Sequence, residues 1–513
     1  MKIVSPKVTN SEGVDDLFEV SPAAVRKLQT DEIIIGLCAP AGSPVHRVAE
    51  GLGRLLVQRY GYECQIIRLS QFIEMIGGAV TSSGSFERTQ GLIDKGNDLR
   101  RRYGHSLLAD LAISEIAKSR ERAKVVVNDA RHAGRRVCYI IDSIKNSEEL
   151  DLLRLVYREM FYFMGVFAPL HIRQRELEGT GMALEQVHRI IDRDSGEELA
   201  HGQLVRETFP MADFFVRTGA GSDQELESKL ERFLDLILRA RLITPTYAET
   251  AMYQAASAAG NSACLSRQVG AAVTDEHGEL LAIGWNDVPQ FGGGLYRADS
   301  FIAGKTLAAD NRCYNWKGGK CWNDQEKDLL AHRAIDTLIL SGIVSQGDRV
   351  RTLEALSKSP IRSLIEYSRS IHAEMHAVLA ASQIGGQRVR GGKVFCTTYP
   401  CHSCARHIVA AGIRDVYYIE PYRKSLATKL HGDAITEFEE TQDKVRILPF
   451  DGVSPRRYLD LFRMGTAPRK SKGQAVQSDP RQVHPVTSGM LESVPALEGL
   501  VVRSLVSRKI LEG

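Results

Sequence analysis

Four residues in the second half of the chain have the types and spacing of a metal centre with an acid–base group beside it. One residue separates His372 from Glu374, and two residues separate Cys401 from Cys404. Zinc prefers imidazole nitrogen and thiolate sulfur, and catalytic zinc sites keep one position open beside three protein ligands. Bound zinc lowers the pKa of water, and a neighbouring carboxylate can take up the released proton. We therefore predict that His372, Cys401 and Cys404 bind Zn²⁺ and that Glu374 is the catalytic acid–base.

The residues around the two cysteines predict the element that holds them. Pro400 suits the first turn of a helix, where its missing N–H costs nothing. Cys401 and Cys404 would then share one face of that turn, and a helix N-terminus favours thiolates. A lone C-x-x-C could equally be a redox pair or half of a structural zinc ribbon. The upstream H-x-E favours the catalytic alternative.

H-x-E followed by P-C-x-x-C is the pattern of zinc-dependent base deaminases. Around it, residues 246–425 resemble the deoxycytidylate deaminases of the cytidine deaminase superfamily. The segments that carry this resemblance are Ser266–Ala271, Gly284–Pro289, His372–Met375, Thr398–Cys404 and Ala410–Tyr418. The resemblance implies a cytidine-deaminase-like α/β/α fold. It also implies hydrolytic deamination of free dCTP, dCMP or both, giving the deoxyuridine nucleotide and ammonia.

The resemblance also assigns three residues to substrate binding. Asn286 would hydrogen-bond the nucleotide near the sugar, Arg267 would lie near the phosphate, and Tyr399 would form a wall of the base pocket. Each residue also has a structural interpretation. Asn286 could shape a loop, Arg267 could form a surface ion pair, and Tyr399 could pack in the core, as buried aromatic residues often do.

Two features depart from the family pattern. His376 stands where such enzymes commonly carry Asn, and residues 290–371 form a long insert. We interpret the insert as a lid, an oligomer contact or an allosteric element. It contains Cys313 and Cys321, which could help bind a second, structural zinc or could be two free thiols, because their spacing is unusual for a zinc knuckle.

The first half begins with the pattern of an α/β nucleotide-binding fold. An apolar strand at 33–37, a Gly- and Pro-containing turn and a helical pattern at 45–60 follow one another. A second strand is predicted at 137–141 and a third at 163–168. Further helical patterns cover 106–133, 147–162 and 223–240. Strands that alternate with helices predict a mostly parallel sheet.

The loop after the first strand resembles a phosphate-binding loop that lacks key residues. Gly36 and Gly42 are separated by five residues rather than four, and Ser43 and Pro44 stand where Lys and Ser or Thr would follow. Asp142, at the end of a strand, is similar to a Walker B acid. Backbone N–H groups could still bind a phosphate, so we expect nucleotide binding without phosphoryl transfer. The alternative is a structural α/β domain with solvated arginines.

Changes in composition divide the chain. Pro245 disfavours helix at Thr244, and a Ser-, Pro-, Lys- and Arg-rich stretch at 467–487 is typical of a linker. We predict a polar lead-in at 1–30, a P-loop-kinase-like domain at 31–243, a deaminase domain at 246–460 and a linker with tail at 465–513. This order resembles bacterial anti-phage dCTP/dCMP deaminases. That resemblance implies a regulatory first domain, control by a dTTP-like deoxynucleotide or an inhibitory ligand, and a homo-oligomer.

Composition limits the remaining alternatives. The 513 residues carry a net charge of only +3, which does not indicate a polybasic nucleic-acid binder. The nine cysteines are an odd number, and the chain begins without an apolar leader. Together these features predict a reducing, cytoplasmic location away from membranes. A tRNA or single-stranded DNA deaminase is one alternative, and the near-neutral charge argues against it. A nucleotide sensor with an inert deaminase domain is another, and the intact Glu374 argues against that.

Overall fold

Two six-stranded sheets organise the protein, as seen in a computed structural model. The structure describes residues 29–79, 84–127, 135–194, 204–219, 223–298, 310–359, 361, 364–421, 425–465, 469–476, 478–487, 489–490 and 493–511. Most of the predicted lead-in at 1–30 and the end of the predicted helix at 106–133 lie outside these ranges.

The strands are numbered in chain order. They are β1 Ile33–Cys38, β2 Glu63–Arg68, β3 Val137–Asp142, β4 Phe161–Phe167, β5 Phe214–Arg217, β6 Gly270–Thr274, β7 Leu280–Trp285, β8 Lys393–Thr398, β9 Asp415–Glu420, β10 Ile435–Thr436, β11 Val445–Pro449 and β12 Gly452–Val453.

The helices follow the same scheme. They are α1 Val45–Gln58, α2 Leu69–Gly77, α3 Ser85–Tyr103, α4 Leu107–Val127, α5 Ser147–Tyr157, α6 Leu170–Gly179, α7 Leu184–Asp194, α8 Val205–Thr208, α9 Asp223–Leu238, α10 Tyr247–Ala259, α11 Trp322–Leu340, α12 Arg349–Ser357, α13 Ala373–Gly385, α14 His402–Ala410, α15 Ala427–Leu430, α16 Tyr458–Phe462 and α17 Ser493–Ser507. Within the described ranges, none of the helices combines the length and apolarity needed to cross a bilayer.

The first sheet has the order β12-β5-β4-β1-β3-β2, and all its strands except β12 run parallel. Strands β1 and β3 are buried along their whole length because helices cover both faces. Ile34 packs on one face with the cluster that contains residues of α4 and α5. Ile33 and Ile35 pack on the other face with residues of α1 and α9.

The second sheet has the order β10-β11-β9-β8-β6-β7 and is mixed, because β6 is antiparallel to both of its neighbours. Alternate residues of β6 face opposite sides. Ala272 packs in the same cluster as Met252 of α10. Ala271 packs with Ala377 of α13 and Ala405 of α14. The result is a three-layer α/β/α arrangement.

One sequence-based element boundary was wrong. The helix predicted over 147–162 ends at Tyr157, a short 3₁₀ turn follows, and β4 begins at Phe161. Residues 161–164 are a continuous apolar run, which periodicity alone assigns equally well to a buried helix or a buried strand. The pairing of β4 between β1 and β5 selects the strand.

The end of the chain returns to the first sheet. Strand β12 pairs with β5, although it follows all strands of the second sheet. Residues 29–30 pair with 489–490, and α17 packs against α4. The stretch predicted as a linker runs along the first half, where Arg136 donates to the carbonyl of Val483 at 2.6 Å. The division of the chain at residue 460 therefore does not coincide with the division between the sheets.

A buried charged cluster fastens α17 to the first half. Arg120 of α4 is 3% exposed and lies between Glu32 and Glu498, whose carboxylates are also buried. Its guanidinium is 2.7 Å from Glu32 and 3.1 Å from Glu498. Burial of three charged groups is tolerated only when they are paired in this way.

Candidate active site

The ends of two helices bring the predicted metal ligands together. His372 is the N-cap residue of α13, and Cys401 is the N-cap residue of α14. The Nδ1 atom of His372 lies 3.2 Å from Sγ of Cys401 and 3.3 Å from Sγ of Cys404. Pro400 therefore precedes the helix rather than occupying its first turn as predicted. Cys401 Sγ takes the capping role and accepts the backbone N–H of Cys404.

The Cys401 thiolate in this group suits a metal cation, which would displace the proton held between Cys401 and His372. The hydrogen bond with Cys404 lowers the pKa of the Cys401 thiol to about 4, and His372 acts in the same direction. The hydrogen bond with Cys401 raises the pKa of His372 to about 9. The three donor atoms lie within 4.8 Å of one another and, among the described residues, are the one group of three with this spacing. One nitrogen and two sulfur atoms so placed fit the ligand set of a catalytic zinc.

Glu374 lies in the first turn of α13, two residues after the predicted His372 ligand. Its side chain is almost fully buried, and burial raises its pKa to about 7. The residue lines the same cavity as His372 and Cys401. A carboxyl group with a pKa near neutrality can both accept and donate a proton, as a general acid–base must.

A close backbone contact sets the position of α13. Gly284 of β7 has no side chain, and a Cβ there would lie 2.4 Å from the backbone nitrogen of Ala377 in α13. The next residue, Trp285, donates its backbone N–H to Nδ1 of His376 at 3.2 Å, and their rings meet edge to face. Burial lowers the pKa of His376, which keeps it neutral and able to accept. His376, whose role the sequence leaves open, therefore joins α13 to β7.

Replacing Gly284 by Ala is therefore expected to displace α13 and to lower zinc affinity. The added methyl group would contact backbone atoms, which cannot rotate away, and overpacking of this kind costs about 1–3 kcal/mol. The melting temperature and the zinc content per chain would measure both effects. Gly179→Ala is the control for loss of a glycine, because Gly179 at the end of α6 lies outside the left-handed φ region and a methyl group added there would have no atom within 4 Å. Full zinc content in Gly284→Ala would contradict the expectation.

A cavity of about 450 Å³ lies in front of the metal-binding group. It is lined by both predicted cysteines of the insert, Cys313 and Cys321, and by Trp322 and Arg369. The Arg369 guanidinium lies 3.8 Å from the ring centre of Trp316. The insert therefore forms part of the cavity wall. This is compatible with a lid, although the structure places no second group of three metal-binding atoms there among the described residues.

The three predicted substrate residues also line this cavity, but each has a protein partner. Asn286 is buried and its amide bonds the backbone of Arg267 and Val269. Arg267 forms a half-exposed ion pair with Glu420 at 2.8 Å. The hydroxyl of Tyr399 donates to Glu437 at 2.8 Å. The loop-shaping interpretation of Asn286 and the ion-pair interpretation of Arg267 are therefore both present in the structure.

Among the lining residues that the sequence did not identify are Cys264 and Arg206. Cys264 follows α10 without a recognisable motif. Arg206 lies in α8, in the half of the chain that precedes the deaminase-like segment. No local pattern could have identified Arg206, because only the packing of the two halves brings it to the cavity.

The predicted phosphate-binding loop after β1 contacts other parts of the protein. Gly36 packs in β1 against Ile144 and Phe161. Gly42 adopts a φ of +81° beside the backbone of Arg173, which itself donates to the carbonyl of Ala41.

Two further groups predicted there are also engaged. Ser43 Oγ accepts the backbone N–H of Ala168 at 3.3 Å. Asp142 accepts from His46 at 2.5 Å, and this hydrogen bond raises the pKa of His46. The predicted phosphate interaction of Gly36, Gly42, Ser43 and Asp142 stays a prediction.

Comparison with known proteins agrees with the geometry of the second half. The family model for the "Cytidine and deoxycytidylate deaminase zinc-binding region" matches residues 245–420. ComE operon protein 2 of Bacillus subtilis (strain 168) is 45% identical over 56 residues, which are 11% of this chain and 29% of that protein. Deoxycytidylate deaminase of Enterobacteria phage T2 is 28% identical over 167 residues, 32% of this chain and 74% of the phage protein.

Among solved structures, the chain is similar to dCMP deaminase from the cyanophage S-TIM5 in complex with dCMP and dUMP. The identity is 20%, the TM-score is 0.23, and the match covers 40% of this chain and 99% of that one. The chain thus spans less than a third of the Bacillus protein and about three quarters of the phage T2 protein. On the family match and the phage relative, residues 245–420 are similar to the zinc-binding region of cytidine and deoxycytidylate deaminases.

Proposed function

We propose that the protein is a zinc-dependent hydrolase that deaminates free deoxycytidine nucleotides. The observation that carries the proposal is the buried Glu374 beside three convergent metal-binding atoms at one cavity of about 450 Å³. The volume suits a nucleotide. Hydrolysis would replace the amino group at C4 of cytosine by oxygen, giving the deoxyuridine nucleotide and ammonia.

His372, Cys401 and Cys404 would hold the zinc, which supplies a Lewis acid that activates water near neutral pH. The remaining chemistry belongs to Glu374. Its carboxylate would take a proton from the attacking water and deliver one to the departing amino group. Its burial keeps it beside the reacting atoms and limits competition from bulk water.

The cavity also offers charge for a phosphate. Four basic side chains line it, together with acidic Asp324 and Glu374; the basic residues are Arg206, Arg267, Lys327 and Arg369. In the part of the chain that the structure describes, the guanidinium of Arg206 has neither a hydrogen-bond nor an ion-pair partner. An unpaired cation near a buried site favours an anionic substrate. We propose that these side chains bind the phosphate end of the nucleotide.

A product assay tests the proposal. Purified full-length protein would be incubated separately with dCMP, dCTP, CTP, deoxycytidine and a cytosine-containing oligonucleotide. We expect the deoxyuridine nucleotide from dCMP, dCTP or both, and slower turnover of deoxycytidine, which lacks a phosphate. Faster turnover of the oligonucleotide would instead support a polynucleotide deaminase. No product from any substrate, with zinc bound, would support the alternative of a nucleotide sensor with an inert deaminase domain.

Replacing Cys404 by Ser is expected to remove the zinc and the activity together. Serine is a poor zinc ligand at neutral pH, and the two remaining ligands bind the ion weakly. Zinc content would fall from one ion per chain towards none. Cys321→Ser is the matched control, with an expected content still of one. A wild-type content of two that falls to one in Cys321→Ser would support the second-zinc interpretation of Cys313 and Cys321.

We further propose that the enzyme depletes deoxycytidine nucleotides during phage infection, in the cytoplasm and as a homo-oligomer. The order of the two halves supports this role. A plaque assay on cells that carry the wild-type or a Glu374→Gln gene tests it. We expect fewer plaques only with the wild type, and equal plaque numbers would contradict the role.

Analytical ultracentrifugation tests the proposed homo-oligomer, and a monomer would contradict it.

A further inference from the structure

Two cysteines lie side by side in the first sheet. Cys64 of β2 and Cys138 of β3 are directly opposite each other in the register of these parallel strands. Neighbouring strands lie about 4.8 Å apart, and opposite residues send their side chains to the same face of the sheet. This separation falls within the range of about 4.4–6.8 Å between Cα atoms that a disulfide spans. The two sulfur atoms can therefore be joined with little movement of the backbone.

The other cysteines of the described strands have no cysteine opposite them. Cys38 at the end of β1 lies beside Gly165, and Cys396 of β8 lies beside Ala271 and Tyr418. In the strand pairs that the structure describes, the position on β2 and β3 is thus the one at which two thiols meet across a ladder.

The two thiols are in contact and differ in exposure. Burial raises the pKa of the Cys138 thiol well above its ordinary value, and a hydrogen bond with Cys64 adds to this effect. Cys138 therefore keeps its proton and donates it towards the sulfur of Cys64. Cys138 is fully buried, whereas Cys64 is only half buried. An oxidant that arrives from solvent meets Cys64 first, with Cys138 placed behind it as the second thiol.

The surroundings of the pair are apolar and closely packed. Cys138 belongs to the cluster that contains residues of α1 and α9, and Cys64 packs against the same cluster. Helix α1 passes closely over the pair, since a Cβ added to Gly53 would lie 4.0 Å from the Cβ of Cys64. A compact oxidant such as a peroxide suits a half-buried thiol in this setting better than a bulky reagent does.

We propose that Cys64 and Cys138 form an oxidation site at which a peroxide converts the two thiols into a disulfide. In the first step the O–O bond of the peroxide breaks. One oxygen stays on the Cys64 sulfur as a sulfenic acid, and the other leaves as water or an alcohol. In the second step the Cys138 sulfur attacks the Cys64 sulfur and the S–O bond breaks. The released hydroxide takes the Cys138 proton and leaves as water, so the peroxide gains the two electrons that the thiols lose.

Cys138 acts as the resolving thiol in this scheme. A sulfenic acid that stays in contact with peroxide is oxidised further to sulfinic and sulfonic acids, which ordinary thiols do not reduce. Condensation with Cys138 stops the sequence at a disulfide. A small thiol can open that disulfide again by attacking the half-buried sulfur of Cys64. The modification is therefore reversible, as disulfides that form in reducing compartments usually are.

The bond would fasten the outer strand of the first sheet. In the described part of the chain, β2 pairs with β3 alone. The disulfide would close a ring from residue 64 to residue 138, which contains α2, α3 and α4. A cross-link over a long loop restricts the unfolded chain and so favours the folded one. We expect the oxidised protein to melt at least about 2 °C above the reduced protein.

Disulfide mapping of the full-length protein, purified in its reduced form with zinc, tests the assignment. The protein is exposed to increasing amounts of hydrogen peroxide, and the remaining free thiols are blocked with N-ethylmaleimide. Peptides are then identified by mass spectrometry without reduction. We expect a linked pair of peptides that joins Cys64 to Cys138 within one chain and that disappears after treatment with dithiothreitol.

Three variants separate the steps. In Cys138→Ala, peroxide should convert Cys64 to sulfinic or sulfonic acid, which dithiothreitol does not reverse. Cys64→Ser should abolish both the linked peptides and the rise in melting temperature. Cys38→Ala is the matched control, because it removes another fully buried thiol, from the neighbouring strand β1, and leaves the pair intact. Its linked peptides should form as in the wild type.

Three results would overturn the proposal. They are full alkylation of both thiols after peroxide treatment, a disulfide from Cys64 or Cys138 to a different cysteine, and fully reversible oxidation of Cys64 in Cys138→Ala. A linked pair without a change in melting temperature would overturn the stabilising effect. Mapping of the wild type decides the question even if Cys138→Ala does not fold. None of these readouts uses deaminase activity, so failure of the proposed function would leave this test unaffected.

Discussion

Replacing Glu374 by Gln is expected to lower kcat for deamination by about 1000-fold while leaving zinc bound. Glutamine has nearly the same shape and cannot shuttle a proton, so the change removes the acid–base function and little else. Glu374 is not one of the three convergent ligands, which are His372, Cys401 and Cys404. The variant should therefore bind substrate with an affinity close to that of the wild type.

The measurement combines the product assay with zinc analysis of the same samples. Glu354→Gln is the control for loss of a carboxylate, since Glu354 lies exposed on α12. A kcat within tenfold of the wild type would exclude Glu374 as the proton carrier. Loss of zinc along with activity would show that Glu374 holds the site together, which is a different role from the one proposed.

Replacing Arg120 by Met is expected to destabilise the protein by about 3–5 kcal/mol. Arg120 is the shared partner of Glu32 and Glu498; the variant would leave Glu498 buried without its cation, and Glu32 with Arg135 at 3.0 Å. Burial already raises the pKa of Glu498, so without Arg120 that residue would resist ionisation more strongly. The melting temperature should fall, and α17 should become more accessible to protease.

A matched control lies on the same helix. Arg122 is 70% exposed and pairs with Glu115 at 3.6 Å, so Arg122→Met should change stability little. The double variant Arg120→Met, Glu498→Gln should recover part of the loss, because Glu32 keeps Arg135 at 3.0 Å and the buried residue 498 no longer carries a charge. Equal melting temperatures for Arg120→Met and Arg122→Met would show that the cluster does not hold α17.

The metal-binding group could be predicted because its information is local. His372 and Glu374 sit at the start of one helix, and Cys401 and Cys404 at the start of another, so short spacings encode the geometry. The predicted helix start at Pro400 was too early, because the N-cap residue is Cys401. Cysteine is not a usual N-cap residue, so the sequence did not indicate that its sulfur would cap the helix.

Features that depend on contacts between distant segments could not be predicted. Arg206 belongs to a helix of four residues without a motif, and its place at the cavity in front of the metal-binding group depends on how the two halves pack. Asn286 lines the cavity, but its hydrogen bonds go to the backbone at 267 and 269, and its contact with a nucleotide stays a prediction. Strand β12 has only two residues, too few for a periodic signal.

The return of β12 and α17 to the first half has a consequence for biosynthesis. A ribosome releases the chain from its N-terminus, so β1 to β5 emerge long before residues 452–453 and 493–507. Until then β5 has an open edge, and the face of α4 that α17 covers is exposed. Exposed edges and apolar faces on nascent chains are prone to aggregation and attract chaperones. The first half of the chain therefore completes its fold only after the last residues have been synthesised. A chain truncated before α17 would lack the ion pair between Arg120 and Glu498.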